Sequence, residues 1–78
     1  MVLYNEFLKR VGLEAKVARI RKGYSVQQLG KQTGLSDAAI NRLELGRSDF
    51  KALTIKRISD ALEVPIIEFF VTLPNEKR

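Results

Sequence analysis

Apolar residues recur at three- and four-residue intervals over the first part of the chain. Between Tyr4 and Lys22 they fall on one helical face, at Tyr4, Leu8, Val11, Ala15 and Ala18. This spacing is typical of an amphipathic α-helix that turns one side toward a core. Gly12 interrupts the pattern at a cost of about 1 kcal/mol relative to alanine. The helix is therefore expected to begin either at Tyr4 or only near Gly12, and to end at Gly23.

The next two apolar segments carry start and stop residues. Ser25 is a preferred N-cap, and Gln28 three positions later completes a capping box. The helix that they open is expected to end just before Gly34, which suits the left-handed position after a helix. Ser36 then caps a third helix, which is expected to end at Gly46.

The last third of the chain predicts two more helices after a loop that runs from Arg47 to about Ala52. Thr54 is the expected cap of the fourth helix, whose inner positions are Ile55, Ile58, Ala61 and Leu62. Pro65 suits the first position of a fifth helix, over about residues 66–71. No Asn-Gly dipeptide occurs and no period-two alternation is sustained. The expected fold is all-α, a compact five-helix domain without a sheet.

The second and third predicted helices form one motif. They are joined by a short turn that contains a glycine, which is the helix-turn-helix arrangement. The inward positions are Leu29, Leu35, Ile40 and Leu43. Gly30 allows the two helices to approach closely, and Gly34 allows the turn. The outer face of the third helix then projects as a rigid unit that fits a major groove about 12 Å wide.

The amino-acid composition restricts the possible classes of function but does not select one. The 78 residues suffice for one domain, and 45% hydrophobic with 29% charged residues is an ordinary globular balance. The formal charge of +5 fits a polyanionic partner such as nucleic acid, and equally a soluble protein with surplus lysines. No signal peptide or membrane-spanning segment is recognisable, so a cytoplasmic protein with no membrane contact is expected.

The residue types missing from the chain argue against catalysis. There is no cysteine and no histidine, which excludes disulfides, thiol chemistry, most zinc sites and the commonest general base. No paired carboxylates share a face, and no glycine-rich phosphate loop is followed by lysine. We expect a protein that is not an enzyme and that has neither metal nor cofactor.

Three stretches resemble the phage repressor and Cro family of helix-turn-helix proteins: "RIRKGYS", "LGKQTGLSDAAINRLELGR" and "IKRISDALEVPIIEFF". The resemblance runs from about Val11 to Phe70. It implies a five-helix domain that binds operator DNA, usually as a dimer, and regulates transcription. On this basis residues 11–73 are the DNA-binding domain and residues 74–78 a C-terminal tail. Residues 1–10 are an N-terminal extension or the start of the first helix.

The resemblance also implies roles for individual residues. Arg19 and Glu44 occupy the positions of the family's buried ion pair, between the first and third helices. The positions of the outer face of the third helix are Ser36, Asp37, Ala38, Asn41 and Arg42. A guanidinium can bond O6 and N7 of guanine together, which makes Arg42 the best candidate base reader. Asn41 is expected to contact a base or a phosphate.

Ala38 and Asp37 begin that helix unusually for a base-reading segment. Alanine can contact only a thymine methyl group, and a carboxylate can accept only from a cytosine amino group. Asp37 has a second interpretation, since an acidic residue stabilises a helix N-terminus.

The family usually has glutamine where this chain has Val26. The candidates for contacts to the DNA backbone are Gln27, Lys31, Ser36, Arg47 and Lys51.

Two apolar sets exceed what a core of this size needs. Leu13, Val17 and Ile20 form a stripe on the far side of the first helix. Either residues 1–10 fold back over this stripe, or it contacts a second subunit or another protein. The second set consists of Ile67, Val71 and Leu73, which are expected at a two-fold dimer interface.

Two functions from different classes remain open. The first is a sequence-specific transcriptional regulator that acts as a homodimer on a palindromic operator. The small controller proteins of restriction–modification systems and the phage regulators are similar proteins of this kind. The alternative is the antitoxin of a toxin–antitoxin pair, which binds its toxin and represses its own operon.

Overall fold

The described part of the chain contains four α-helices and one short 3₁₀ segment. A computed structural model describes residues 4–47 and 49–70. The α-helices are α1 (Tyr4–Lys22), α2 (Val26–Thr33), α3 (Asp37–Leu45) and α4 (Ala52–Leu62), and the 3₁₀ segment is Ile66–Phe69. No strand occurs within those two ranges. The all-α prediction is confirmed.

The prediction of a fifth α-helix is wrong, because the segment after Pro65 is a single 3₁₀ turn. The amide of Glu68 donates to the carbonyl of Pro65 at 2.9 Å, and the amide of Phe70 donates to that of Ile67 at 2.9 Å. Bonds between residues three apart are those of a 3₁₀ helix, which is stable only in short runs.

Every element contributes to one core. The fully or nearly fully buried apolar side chains at its centre are Val11, Ala15, Leu29, Ile40, Leu43, Ile55, Ile58, Leu62 and Phe69. Each large side chain removed from water contributes about 1.5–3 kcal/mol. All the inward positions predicted for the helix-turn-helix belong to this core or, for the half-buried Leu35, pack against it.

The first helix is continuous from Tyr4, so the alternative start near Gly12 is wrong. A Cβ added at Gly12 would lie 2.1 Å from the carbonyl oxygen of Leu43. A Cβ at Gly46 would lie 2.5 Å from the Cα of Lys9. The backbones of α1 and α3 therefore touch at both glycines. This packing keeps the chain helical around Gly12, although the low helix propensity of glycine disfavours a helix there.

Continuity of α1 also corrects the interpretation of its outer stripe. Residues 4–10 are part of the same helix as Leu13, so they do not fold back over it. Phe7 instead stacks on Phe70, with ring centroids 5.9 Å apart. The start of α1 is thus held against the end of the 3₁₀ segment.

The predicted ends of α2 are confirmed. The Ser25 hydroxyl accepts from the Gln28 amide at 3.0 Å, and the Gln28 side chain accepts from the Ser25 amide at 2.8 Å. Gly34 follows the helix in the left-handed conformation, with φ of 79°. A residue with a side chain would be strained there.

The predicted cap of α4 is wrong. The helix begins at Ala52 with Lys51 at the N-cap, where no side chain bonds the helix. Thr54 and Ile55 both donate their amides to the carbonyl of Lys51, at 2.9 and 3.2 Å. Thr54 therefore lies inside the first turn and does not cap the helix. The helix begins two residues before Thr54, where it brings Ile55 into the core.

One exposed ion pair links the end of α1 to the end of α4. Lys22 donates to Glu63, a residue that adopts the left-handed conformation with φ of 59°. The hydrogen bond from Lys22 lowers the pKa of Glu63, and the same bond raises the pKa of Lys22. Both side chains contact water, so the pair contributes little to the stability of the fold.

Candidate nucleic-acid interface

The turn between α2 and α3 is held by contacts to its backbone. A Cβ at Gly30 would lie 2.7 Å from the carbonyl oxygen of Leu35, so α2 meets the turn at van der Waals distance. The Thr33 hydroxyl donates to the carbonyl of Leu29 at 2.8 Å and accepts from the amide of Leu35 at 3.3 Å. Sequence reasoning missed the part played by Thr33, which is buried.

The third helix buries one face and exposes the other. Ile40 and Leu43 are buried, whereas Ala38, Asn41 and Arg42 are exposed to solvent. Ser36 and Asp37 are exposed at its N-terminal end, where the Ser36 hydroxyl accepts from the amide of Ala39 at 3.1 Å. The carboxylate of Asp37 lies toward Gly30, since its Oδ1 is 3.4 Å from a Cβ built on that glycine.

An exposed leucine completes the outer face of α3. Leu45 lies one turn after Asn41 and three residues after Arg42, and 54% of its surface is exposed. Sequence reasoning missed it, because a leucine near the end of an amphipathic helix is usually assigned to the core. The periodicity of α3 was the available signal, since Leu45 is out of phase with Ile40 and Leu43.

Cationic and polar side chains lie on both sides of α3. One shallow hollow, on the side of α2, is lined by Gln27, Gly30, Lys31, Gly34, Leu35 and Asp37. A second hollow, on the side of α4, is lined by Leu35, Ala39, Arg42, Leu43, Asp49, Phe50, Lys51 and Thr54. Arg47 is exposed immediately after the cap of α3. Of the predicted phosphate contacts, the structure places Gln27 and Lys31 in the first hollow and Lys51 in the second, while Ser36 and Arg47 are exposed at the two ends of α3.

A buried ion pair supports α3 from the opposite side. Arg19 Nε donates to Glu44 Oε2 at 2.7 Å, and Arg19 Nη2 donates to Glu44 Oε1 at 3.1 Å. Arg19 Nη1 also donates to the carbonyl of Tyr24 at 2.9 Å. The side chains are only 11% and 6% exposed. This two-bond geometry fixes α3 relative to α1 and to the start of α2.

Those predicted protein contacts that the structure describes lie on the 3₁₀ segment and on α1, not on α3. Ile67 is 59% exposed on the 3₁₀ segment, and Val71 and Leu73 lie outside the described residues. Leu13 and Ile20 are 55% and 57% exposed on α1.

Other kinds of site find no support in the described ranges. No three potential ligands among His, Cys, Asp and Glu come close enough there to hold a metal ion. Within the same ranges, no helix has the length and apolar character needed to cross a membrane.

Comparison with known proteins identifies the fold family. The family profile described as helix-turn-helix matches residues 16–69, which is well over half of the chain. The chain belongs to the helix-turn-helix family. The matched region contains the whole of α2, α3 and α4, so the resemblance predicted from the sequence motifs is confirmed. The proteins of this family are transcriptional regulators and not enzymes.

Three helix-turn-helix relatives illustrate the similarity. The regulator SlrR of Bacillus subtilis is 33% identical over 61 residues, which are 77% of this chain. This chain spans only 40% of the length of SlrR. The crystal structure of the restriction–modification controller protein C.AhdI of Aeromonas hydrophila is 25% identical with a TM-score of 0.78. That match covers 81% of this chain and 96% of C.AhdI.

A helix-turn-helix regulator from Vibrio cholerae has a TM-score of 0.81 at 27% identity. It covers 90% of this chain, which in turn covers 39% of the Vibrio protein. The same fold thus occurs in a small stand-alone protein and as part of longer regulators.

Proposed function

We propose that this protein is a sequence-specific DNA-binding regulator of transcription, which acts in the cytoplasm as a homodimer on a palindromic operator. The observation that carries this proposal is the exposed outer face of α3, held rigid by the core and by the Arg19–Glu44 pair. A helix presented in this way can enter the major groove without paying for reordering of its backbone. The relatives with named functions support the same proposal.

Base reading is assigned to the exposed side chains of α3. Arg42 would bond O6 and N7 of a guanine, and Asn41 would bond an adenine edge or a phosphate. Ala38 would contact a thymine methyl group. The Asp37 carboxylate lies toward Gly30 and the turn, which favours its role at the helix N-terminus over contact with cytosine.

Backbone contacts are assigned to the two hollows beside α3. Gln27 and Lys31 of the first hollow would contact one phosphate backbone together with Ser36, and Lys51 of the second hollow would contact the other together with Arg47. These contacts set the register of the protein on the duplex but carry no sequence information. They also make affinity fall steeply as salt concentration rises, because neutralised phosphates release counterions.

Replacing Arg42 with alanine is expected to weaken operator binding by about 1–3 kcal/mol and to relax preference at one base pair. Replacing Lys51 with alanine is expected to weaken binding to all duplexes alike. It should also reduce the slope of log affinity against log salt concentration by about one. Fluorescence anisotropy with the operator and single-substitution duplexes, over a series of salt concentrations, measures both effects. Equal behaviour of the two variants would show that Arg42 is not a base reader.

Replacing Ile67 with aspartate is expected to give a folded monomer that binds a full operator weakly. The Ile67 side chain is 59% exposed, so the fold of one subunit does not depend on it. At a two-fold interface the introduced aspartate would lie near the same aspartate of the second subunit, and the two charges would repel. Sedimentation measures the oligomer. Selection of bound duplexes from a random pool is expected to give two half-sites about 34–36 Å apart for the unchanged protein. A stable dimer of the Ile67→Asp variant would contradict the assignment of Ile67 to the interface. Selection of single half-sites would contradict the proposed dimer itself.

The antitoxin function is the second candidate. It is favoured by the apolar residues of α1 that stay exposed in the described part of the chain, since an antitoxin needs a protein-binding surface besides its DNA-binding face. A toxin gene beside the gene for this protein, with inhibition of that toxin by the purified chain, would distinguish the two functions.

A further inference from the structure

An apolar stripe runs along the solvent side of α1. Leu13, Val17 and Ile20 follow one another at spacings of four and three residues, which places them in line over two turns. Leu13 is 55% exposed and Ile20 is 57% exposed, while Val17 is half-buried. We call these three residues the α1 stripe. They lie on the opposite side of α1 from the buried Val11 and Ala15.

A groove continues from the α1 stripe toward α4. It has a volume of about 250 Å³ and shares Val17 with the stripe. The apolar side chains along it are Val17, Ala18, Leu62, Val64 and Phe69, and the charged residues Glu14, Arg21, Lys22 and Glu68 also line it. A stripe that opens into a groove with both apolar and charged walls matches the pattern in which one anchoring side chain enters a pocket and others lie across the surface around it.

Basic residues flank the α1 stripe on both sides. Helical spacing places Lys9 and Lys16 along one side and Arg10 and Arg21 along the other, and all four are exposed. The same spacing places Glu6 in line with the stripe and Glu14 on the side of Arg10 and Arg21, so four basic residues of α1 surround the stripe together with two acidic ones. An apolar seam with charged flanks is how paired helices select partners, because flanks of opposite sign attract and flanks of like sign repel.

We propose that the α1 stripe is a docking site for an amphipathic helix of another protein, with an apolar seam and acidic flanks. Its glutamates or aspartates pair with the basic flanks, and one large apolar side chain enters the groove beside Val17. A second copy of this chain is a poor occupant, because Lys9 and Lys16 would face the same lysines in an antiparallel pair. Duplex DNA is also a poor occupant, since the centre of the site is apolar.

This inference does not depend on DNA binding. The α1 stripe and the exposed face of α3 belong to different helices, and no residue assigned to DNA lies in the stripe. The two proposed contacts therefore use different residues of the chain.

The test uses a pair of synthetic helical peptides of about three heptads. Both carry leucine at the seam positions, and they differ only in having glutamate or lysine at the flanks. Each is titrated into the full chain, labelled with ¹⁵N, and amide shifts report the affinity and the site. We expect the glutamate peptide to bind and to shift residues of α1 and the groove. We expect at least about tenfold weaker binding by the lysine peptide.

Variants decide which surface and which charges are responsible. Leu13→Ser with Ile20→Ser is expected to weaken the glutamate peptide at least about tenfold, whereas Leu53→Ser, which changes a 62% exposed leucine on α4, leaves it unchanged. Arg10→Glu with Lys16→Glu is expected to reverse the preference, so that the lysine peptide binds better. Thermal unfolding of each variant shows that the fold is retained.

Four results would overturn the proposal. They are absence of binding by both peptides, equal binding of both, a dimer that Leu13→Ser dissociates, and binding of anionic lipid vesicles through Leu13 and Ile20 without binding of either peptide. The last two would assign the α1 stripe to a second copy or to a membrane surface. Operator binding by the Leu13→Ser variant is expected to stay unchanged, which separates this proposal from the DNA-binding one.

Discussion

Replacing Glu44 with alanine is expected to lower the free energy of unfolding by about 3–5 kcal/mol. The Arg19 side chain is only 11% exposed in the pair, and the substitution removes the carboxylate that compensates for the desolvation of its charge. Domains of ordinary stability have about 5–15 kcal/mol in total. A large fraction of the variant should therefore be unfolded or unfold at low urea concentration, and urea titration followed by circular dichroism measures it.

Two further variants show that burial causes this loss. Lys56 and Asp60 form an ion pair on α4 at 2.7 Å, but their side chains are 58% and 63% exposed. Asp60→Ala is therefore expected to cost no more than about 0.5 kcal/mol. Arg19→Met combined with Glu44→Leu is expected to cost less than Glu44→Ala alone, because no buried charge is left unpaired. If Glu44→Ala and Asp60→Ala cost the same, the buried pair does not support α3.

Replacing Gly12 with alanine is expected to destabilise the fold, although it improves the helix propensity of α1. Propensity alone predicts a gain of about 1 kcal/mol. The added Cβ would lie 2.1 Å from the carbonyl oxygen of Leu43 and 2.8 Å from that of Glu44, so α1 and α3 must separate. Overpacking of this kind costs about 1–3 kcal/mol, and more where backbone is the obstacle.

The matched control is Lys16→Ala, at an exposed position of the same helix. It is expected to change the free energy of unfolding by no more than about 0.5 kcal/mol. Because Leu43 and Glu44 belong to α3, Gly12→Ala should also weaken operator binding, which Lys16→Ala should not do. A more stable Gly12→Ala variant would contradict the close contact between the two helices.

Features that depend on neighbouring residues in the chain were predictable. The start of α2 follows from Ser25 and Gln28, and its end follows from Gly34, because caps are satisfied within one turn. The buried positions Leu29, Ile40 and Leu43 follow from periodicity for the same reason. The candidate site shares this origin, since the outward direction of Asn41 and Arg42 is the complement of the buried face of α3.

Features that depend on contacts between distant elements were not predictable. Thr54 is the better cap residue, yet α4 begins at Ala52. Arg19 and Glu44 are 25 positions apart, and only the family resemblance suggested their pairing.

By itself, the sequence determined the all-α class, the two helices of the motif, the turn between them and the residues that α3 would expose. These are consequences of capping, glycine conformation and helical period, each of which acts over a few residues. The tertiary structure alone decided that α1 runs unbroken through Gly12, that the segment after Pro65 is a 3₁₀ turn, and that the α1 stripe stays uncovered within the described part of the chain. The physical reason is that these outcomes depend on which backbones meet in space, and no local preference of the chain encodes that meeting.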